Sequence, residues 1–141
     1  MKLACTFVLV VLGAAMPALA EKKIIQPKEM PTGGPLSPAI LVDGTLYVSG
    51  QLGRDLKTQK IPENFEAEVR QVLDSIGIIL REAKMDYSDV VSVQIYMTDM
   101  ELFARMNTVY TTYFKTDRPS RTTVGVVKLA APGAHIEITV T

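Results

Sequence analysis

The sequence predicts an α+β domain of two layers, in which a mixed β-sheet carries two amphipathic helices on one face. Residues 134–140 alternate between apolar and polar side chains, as a strand does when only one of its faces is buried. After Asn64, and again after Thr98, apolar residues recur every three or four positions, which is the period of a helix with one buried stripe. Strand and helix periods therefore alternate along a chain of 141 residues, a length typical of a single domain.

The start of the chain differs in kind from the rest. A single lysine is followed by an apolar run, and the segment ends in Ala-Leu-Ala at Ala20. A short positive start, an apolar stretch too short to span a bilayer and a small-residue ending are typical of a secretory signal. Residues 1–20 are therefore predicted to be a cleavable signal peptide, and residues 21–141 a mature domain that is periplasmic or secreted. The alternative is an uncleaved membrane anchor, which the interruptions at Gly13 and Pro17 disfavour.

Composition argues against several classes of function. Cys5 is the only cysteine and lies in the predicted signal, so the mature domain has no disulfide and no catalytic or zinc-binding thiol. One histidine makes a histidine-rich metal site unexpected. The 15 Lys and Arg residues balance 15 Asp and Glu, which argues against a nucleic-acid partner held through its phosphates.

The mature domain begins with a predicted arm and hairpin. Residues 21–38 are rich in Lys, Pro and Gly and predict an extended arm, because prolines disfavour a helix and glycines permit tight bends. Two apolar runs, residues 39–42 and 45–49, flank Asp43-Gly44. That pair readily takes positive φ, so it predicts a two-residue hairpin turn. Residues 54–62 form a polar loop.

A helix and a strand follow. The apolar stripe that begins near Asn64 predicts a helix of roughly five turns, with the charged residues, Glu68 among them, mostly off the stripe. Its members are Phe65, Val69, Val72, Leu73, Ile76, Leu80 and Ala83. Residues 89–97 return to alternation and predict a strand. Its core side is expected to carry Val91, Val93, Ile95 and Met97.

The second helix is predicted to begin at Thr98. Thr98 and Glu101 have the spacing of a capping box, in which each side chain satisfies a backbone N–H at the start of a helix. The inner stripe of this helix is Leu102, Phe103, Met106, Tyr110, Tyr113 and Phe114. Pro119 follows and leads the chain into another strand.

The last two strands each carry a charged residue that stability alone does not require. Arg121 follows Pro119 at the start of its strand, where a long side chain is free to point at a ligand. A guanidinium suits a carboxylate, because its planar fork donates two parallel hydrogen bonds. Glu137 lies on the polar side of residues 134–140. The two residues are candidates for a ligand site, and the alternative is a plain ion pair between them or two solvated surface charges.

The sheet face away from the helices is predicted to mix polar and apolar residues. Its polar members are Ser92, Gln94, His135, Glu137 and Thr139. Such a face suits self-association with a pocket left between subunits. His135 stands two residues before Glu137 on this face, so it is either a general acid or an ordinary polar surface residue.

A series of short motifs, in this order along nearly the whole mature domain, resembles the Rid family of reactive intermediate deaminases. The motifs are Gly34-Pro35-Leu36-Ser37, Val48-Ser49-Gly50-Gln51, Val69-Arg70-Gln71-Val72-Leu73, Met97-Thr98-Asp99-Met100, Met106-Asn107-Thr108-Val109-Tyr110, Arg118-Pro119-Ser120-Arg121-Thr122 and Ile136-Glu137-Ile138. Each motif is weak alone, and their shared order carries the resemblance.

The resemblance implies a chorismate-mutase-like fold and a homotrimer whose sheets form a central barrel, with clefts at the subunit interfaces. It also implies hydrolysis of 2-imino acids, or their enamine tautomers, to 2-oxo acids and ammonia, without a metal or an organic cofactor. In that assignment Arg121 clamps the substrate carboxylate and Glu137 orients or activates the attacking water. This division suits an imine, which needs positioning, a water and a proton donor more than a strong nucleophile.

The resemblance also implies which residues line the cleft. Ser49, Asn107 and Thr123 match family positions there. The alternatives are that Ser49 ends a strand, that Asn107 is a solvent-facing helix residue and that Thr123 is an ordinary strand residue. Leu36 stands where the family has Tyr, and Pro38 stands two places on where it has Gln. Leu36 cannot donate a hydrogen bond, so that wall of the cleft is more apolar. At Thr123 many active members have Cys.

Two other functions remain open at this point. The first is a non-catalytic module that keeps the carboxylate clamp and binds 2-oxo acids, with turnover lost through Leu36 and Pro38. The second is the ribonuclease activity attributed to some relatives, which the balanced charge and the predicted export disfavour.

Overall fold

The computed structural model describes residues 21–141, so the predicted signal peptide and Cys5 lie outside the described residues. The elements are β1 Lys23–Ile25, β2 Ala39–Val42, β3 Thr45–Val48, β4 Gln51–Leu52, α1 Phe65–Glu82, β5 Ser92–Met97, α2 Phe103–Tyr113, β6 Ser120–Gly125 and β7 Ile136–Val140. Short 3-10 helices, Tyr87–Asp89 and Met100–Leu102, precede β5 and α2. Neither α1 nor α2 is long and apolar enough to cross a membrane.

The strands form two sheets that meet at β3 and β7. One sheet has the order β1-β2-β3, and the other has the order β4-β7-β5-β6. Strands β5 and β6 are parallel, and every other pair is antiparallel. The Thr139 hydroxyl donates to the carbonyl of Val48 and joins the sheets. The predicted α+β fold, with a mixed sheet and two helices, is confirmed.

Local chemistry explains the best-predicted elements. Asp43 and Gly44 have φ of 48° and 76°, so the predicted hairpin turn between β2 and β3 is confirmed. The Asn64 side chain accepts a hydrogen bond of 2.8 Å from the amide of Ala67 and caps α1. The apolar stripe of α1 is buried against β7, whose Ile136 and Ile138 are fully buried.

Polar contacts join the two helices at their exposed edges. The guanidinium of Arg105 donates two hydrogen bonds, of 2.6 and 2.8 Å, to the carboxylate of Glu66. This bidentate pair lowers the pKa of Glu66 to about 2. The Tyr113 hydroxyl donates to Asp74 over 2.8 Å. Helix α2 is therefore held against α1 as well as against the sheet.

Three local predictions were wrong or incomplete. Thr98 and Glu101 do not form a capping box; instead Asp99 accepts a hydrogen bond of 2.9 Å from the amide of Glu101 and starts a 3-10 turn before α2. Val91 is 66% exposed because β5 begins only at Ser92. The predicted arm contains strand β1, which pairs with β2 and so extends the hairpin into a three-stranded sheet.

The largest departure from the sequence-based picture is Glu68 on α1, which is fully buried. Its carboxylate accepts hydrogen bonds from the amides of His135 and Ile136 at 2.7 and 3.3 Å, and it lies 2.9 Å from the His135 ring. These amides belong to the first residue of β7 and to the residue just before it. Glu68 therefore fixes the entry of β7 onto α1.

Candidate active site

Arg121 lies on the helix-facing side of β6. It pairs with Val93 of β5, whose side chain is buried beneath the helices. The guanidinium carbon stands 4.6 Å from the centre of the Tyr110 ring on α2 and 5.6 Å from that of Phe103. Its Nη1 donates a 2.8 Å hydrogen bond to the side chain of Asn107. Stacking and this bond fix the guanidinium, and its other N–H groups are left to bind a ligand.

Two buried hydroxyls accompany Arg121. The Tyr110 hydroxyl and the Thr123 hydroxyl have no hydrogen-bond partner within residues 21–141. Burial raises the pKa of Tyr110, so its phenol stays protonated and able to donate. Because buried polar groups are normally paired, unpaired donors beside an ordered guanidinium indicate a surface made to bind something polar. We call Arg121, Asn107, Tyr110 and Thr123 the arginine half-site.

Glu137 lies on the opposite face of the sheet. Its partner on β5 is Tyr96, three residues from Val93, and side chains three apart on a strand point to opposite sides. The carboxylate packs against Gly50, where a Cβ atom would come within 2.0 Å of Oε1. It accepts no hydrogen bond from the described part of the chain. Burial raises the pKa of Glu137 above the ordinary value of a glutamate, and perturbed carboxyl groups of this kind are common at functional sites.

Ser49 and Leu36 lie near Gly50. The Ser49 hydroxyl donates to the carbonyl of Ser37 over 2.7 Å and ties the loop that carries Leu36 to the end of β3. Leu36 is 64% exposed, and with Gly50 it lines a cavity of about 440 Å³. We call Glu137, Gly50, Ser49 and Leu36 the glutamate half-site.

The predicted site residues therefore form two groups within one chain. The arginine half-site lies at the edge strand β6 and α2, whereas the glutamate half-site lies at β4 and β7, on the other face of the sheet. The simple ion pair considered for Arg121 and Glu137 is wrong, since the two residues face opposite ways. Asn107 is not a solvent-facing residue, because it positions Arg121.

His135 does not lie with Glu137 on the polar face, as the alternation had predicted. Strand β7 begins only at Ile136, and the preceding residue turns toward α1. Its ring Nδ1 lies 2.9 Å from the Glu68 carboxylate, and the ring meets Phe65 edge to face. The contacts of His135 are therefore those of a residue that joins β7 to α1.

Tyr110 and Gly50 were missed as site residues. Tyr110 belongs to the inner stripe of α2, which hid its contact with Arg121, although it follows Asn107 by one helical turn. Gly50 carries no side chain, and its closeness to Glu137 depends on the pairing of β4 with β7. Between residues 21 and 141, no three His, Cys, Asp or Glu side chains are grouped to hold a metal ion.

Comparison with known sequences gives consistent matches. The sequence profile described as endoribonuclease L-PSP matches residues 27–141. The chain is 39% identical over 119 residues to a Bos taurus protein named 2-iminobutanoate/2-iminopropanoate deaminase, which covers 83% of this chain and 86% of the bovine one. It is equally 39% identical over 119 residues to a RutC family protein of Aquifex aeolicus, with 83% and 94% covered.

Solved structures match over a similar span. A Yersinia pestis protein of the conserved Rid family superposes with a TM-score of 0.80 at 35% identity, over 85% of this chain and 97% of that one. RidA from an Antarctic Psychrobacter superposes with a TM-score of 0.79 at 34% identity, over 84% and 96%. Profile, relatives and structures agree along almost all of the described residues, and the chain belongs to the Rid (endoribonuclease L-PSP) family.

Proposed function

We propose that this protein hydrolyses small 2-imino acids to 2-oxo acids and ammonia, in sites completed by two neighbouring subunits of a homotrimer. The observation that carries the proposal is the division of the candidate residues into two half-sites. The guanidinium of Arg121 and the half-buried carboxylate of Glu137 cannot meet within one chain. They can meet when the arginine half-site of one subunit faces the glutamate half-site of the next. The name of the bovine relative supports the choice of substrate.

The half-sites have complementary roles. The substrate carboxylate binds the guanidinium of Arg121, which places the C=N carbon within reach of Glu137 on the neighbouring subunit. As a water oxygen bonds to that carbon, Glu137 accepts a proton from the water, and the imine nitrogen takes up a proton from solvent to become an amine. The resulting carbinolamine loses ammonia when Glu137 returns its proton to the nitrogen and the hydroxyl oxygen releases its own to solvent, leaving a 2-oxo acid.

The exposed sheet face supports the homotrimer. Large apolar side chains on this face or its rim remain exposed in the single chain, with Ile24 at 56%, Tyr47 at 52% and Val124 at 40%. A patch of this kind is typical of a surface covered by another subunit.

We also propose that the protein is exported and cleaved after Ala20. The intact mass of protein purified from the periplasmic or secreted fraction tests this proposal.

The function can be tested with residues 21–141 and 2-iminobutanoate generated in place by an amino-acid oxidase. Semicarbazide traps the imine, so an active deaminase slows semicarbazone formation. We expect the wild type to do so and Glu137→Gln to lose at least about a hundredfold in rate, because a positioned proton acceptor contributes that much. If the wild type leaves trapping unchanged but still binds 2-oxobutanoate, the cleft is a binding module and the enzymatic proposal is wrong.

The pH profile of the wild type gives an independent check on Glu137. Burial raises its pKa above the ordinary value of about 4.3, and only the ionised form accepts a proton. The rate should therefore fall as the pH is lowered through a value above that of ordinary glutamate. A rate that stays level across that range would show that Glu137 is not the proton acceptor.

Gly50→Ala should lower kcat/KM by about ten- to a hundredfold, because displacing a catalytic group by about 1 Å has an effect of that order. The new methyl group would occupy the place of Oε1 of Glu137 and push the carboxylate aside. Steady-state kinetics would measure the loss. Thermal unfolding serves as the control, since the atom displaced is the end of a flexible side chain and the melting temperature should change little. Unchanged kinetics would show that the carboxylate need not lie against Gly50.

A further inference from the structure

The cavity of about 440 Å³ begins at the glutamate half-site and extends well beyond it. Gly50 and Leu36 line its near end, and so does Leu52, whose partner on β7 is Glu137. Paired residues on neighbouring strands share a face, so Leu52 lies beside Glu137. From there the cavity passes the apolar side chain of Leu56 and reaches α1. It therefore borders the glutamate half-site through Gly50 and Leu36.

The remote part of the cavity carries two unused polar groups. Ser75 of α1 is only 2% exposed, yet its hydroxyl has no hydrogen-bond partner within residues 21–141. The half-buried Arg54 makes no ion pair and no side-chain hydrogen bond with any residue of that range. The adjacent carboxylate of Asp55 does not pair with Arg54. It accepts hydrogen bonds from the amides of Lys57 and Thr58 at 3.0 and 2.7 Å.

A buried hydroxyl without a partner is unusual, since buried polar groups are normally satisfied, and here an unpaired guanidinium lines the same cavity. Both complement an anionic oxygen: the guanidinium donates to a carboxylate through its fork, and the hydroxyl adds one donor. The amides of Gln51 and Gln59, which also line the cavity, donate instead to the carbonyls of Ser49 and Leu56. Among the buried and half-buried residues of the lining, Arg54 and Ser75 are thus the polar side chains left for a ligand, whereas Thr32 is exposed.

The two departures from the Rid sequence pattern, Leu36 and Pro38, both line this same cavity. Leu36 is shorter than the tyrosine usual at its position and leaves the passage between the half-site and the cavity wider and more apolar. A substrate with a methyl or ethyl side chain would leave most of this space empty. The cavity therefore fits a longer side chain, with methylene groups near Leu36 and Leu52 and a negative end near Arg54.

We propose that this cavity binds the substrate side chain and selects 2-imino dicarboxylic acids, whose distal carboxylate pairs with Arg54 and accepts a hydrogen bond from Ser75. This inference rests on the proposed function. It deepens that function by naming a substrate class that differs from the short apolar imino acids in the names of the relatives.

Calorimetric binding of the stable 2-oxo products tests the inference. We expect 2-oxoglutarate or 2-oxoadipate to bind the wild type at least about tenfold more tightly than 2-oxobutanoate, because a charge-assisted pair contributes about that much. Arg54→Met should abolish the preference while leaving 2-oxobutanoate binding unchanged, and Arg54→Lys should keep part of it. Ser75→Ala should weaken only dicarboxylate binding. Arg70→Met is the matched control, because Arg70 is an exposed arginine of α1 that does not line the cavity and forms no ion pair within residues 21–141.

The outcomes separate this inference from the proposed function. Equal affinity of the wild type for both classes, or an equal loss for both in Arg54→Met, overturns the dicarboxylate inference alone, provided that 2-iminobutanoate is still hydrolysed. Failure to hydrolyse any 2-imino acid, short or dicarboxylic, overturns the proposed function and the inference with it.

Discussion

Arg121→Met is expected to lower kcat/KM for 2-iminobutanoate by at least about a hundredfold, because two charge-assisted hydrogen bonds to the substrate carboxylate are lost. The methionine side chain still covers the rings of Tyr110 and Phe103, so the fold should be kept. Semicarbazide competition measures the rate, and thermal unfolding checks the fold. Arg118→Met is the matched control, since the side chain of that exposed arginine donates, among the described residues, only to the carbonyl of Phe114. Unchanged kcat/KM in Arg121→Met would rule out the carboxylate clamp.

The same variant also tests whether sites are shared between subunits. Arg121→Met and Glu137→Gln chains are each expected to be inactive alone. When the two chains are co-expressed and assemble at random, about a quarter of the interfaces combine an intact Arg121 with an intact Glu137. Activity should then recover to about that fraction of the wild type. No recovery in a verified mixed oligomer would show that each chain supplies both residues to its own site.

Glu68→Ala is expected to lower the free energy of unfolding by about 3 kcal/mol or more, because it leaves buried amides unpaired. The carboxylate holds the amides of His135 and Ile136 and the ring of His135, and no other side chain of the described chain donates to or accepts from these groups. Urea denaturation would measure the change. Glu66→Ala is the matched control two residues away, because its ion pair with Arg105 is exposed and its loss should matter far less. Equal effects of the two variants would show that the buried contact is not what anchors β7.

The fold could be predicted because its signals are local. The Asp43-Gly44 turn, the apolar stripe of α1 and the alternation of β7 each lie within one short segment. The burial of Glu68 could not be predicted, since its partners lie 67 and 68 residues further along the chain. A carboxylate on a helix has the same local pattern whether it faces solvent or receives the end of a strand.

The candidate site could be predicted only in part. Arg121 and Glu137 stood out because each is a charged residue in a strand, and Asn107 was suggested by the resemblance. Their placement on opposite faces depends on the registers of β6 and β7 against β5. A shift of one residue in either strand would reverse that side chain, and no local pattern fixes such a register between segments remote in the chain.

Under the proposed mechanism, the separation of the two half-sites leaves each chain inactive until it assembles. A single folded chain carries a clamp that can hold a carboxylate and, on its other face, a base that cannot reach what the clamp holds. Catalysis is then a property of the assembly, and its onset follows the concentration of chains rather than the folding of any one of them. For a protein proposed to act outside the cytosol, this arrangement would keep newly made, unassembled chains without deaminase activity, and no inhibitor or propeptide would be needed.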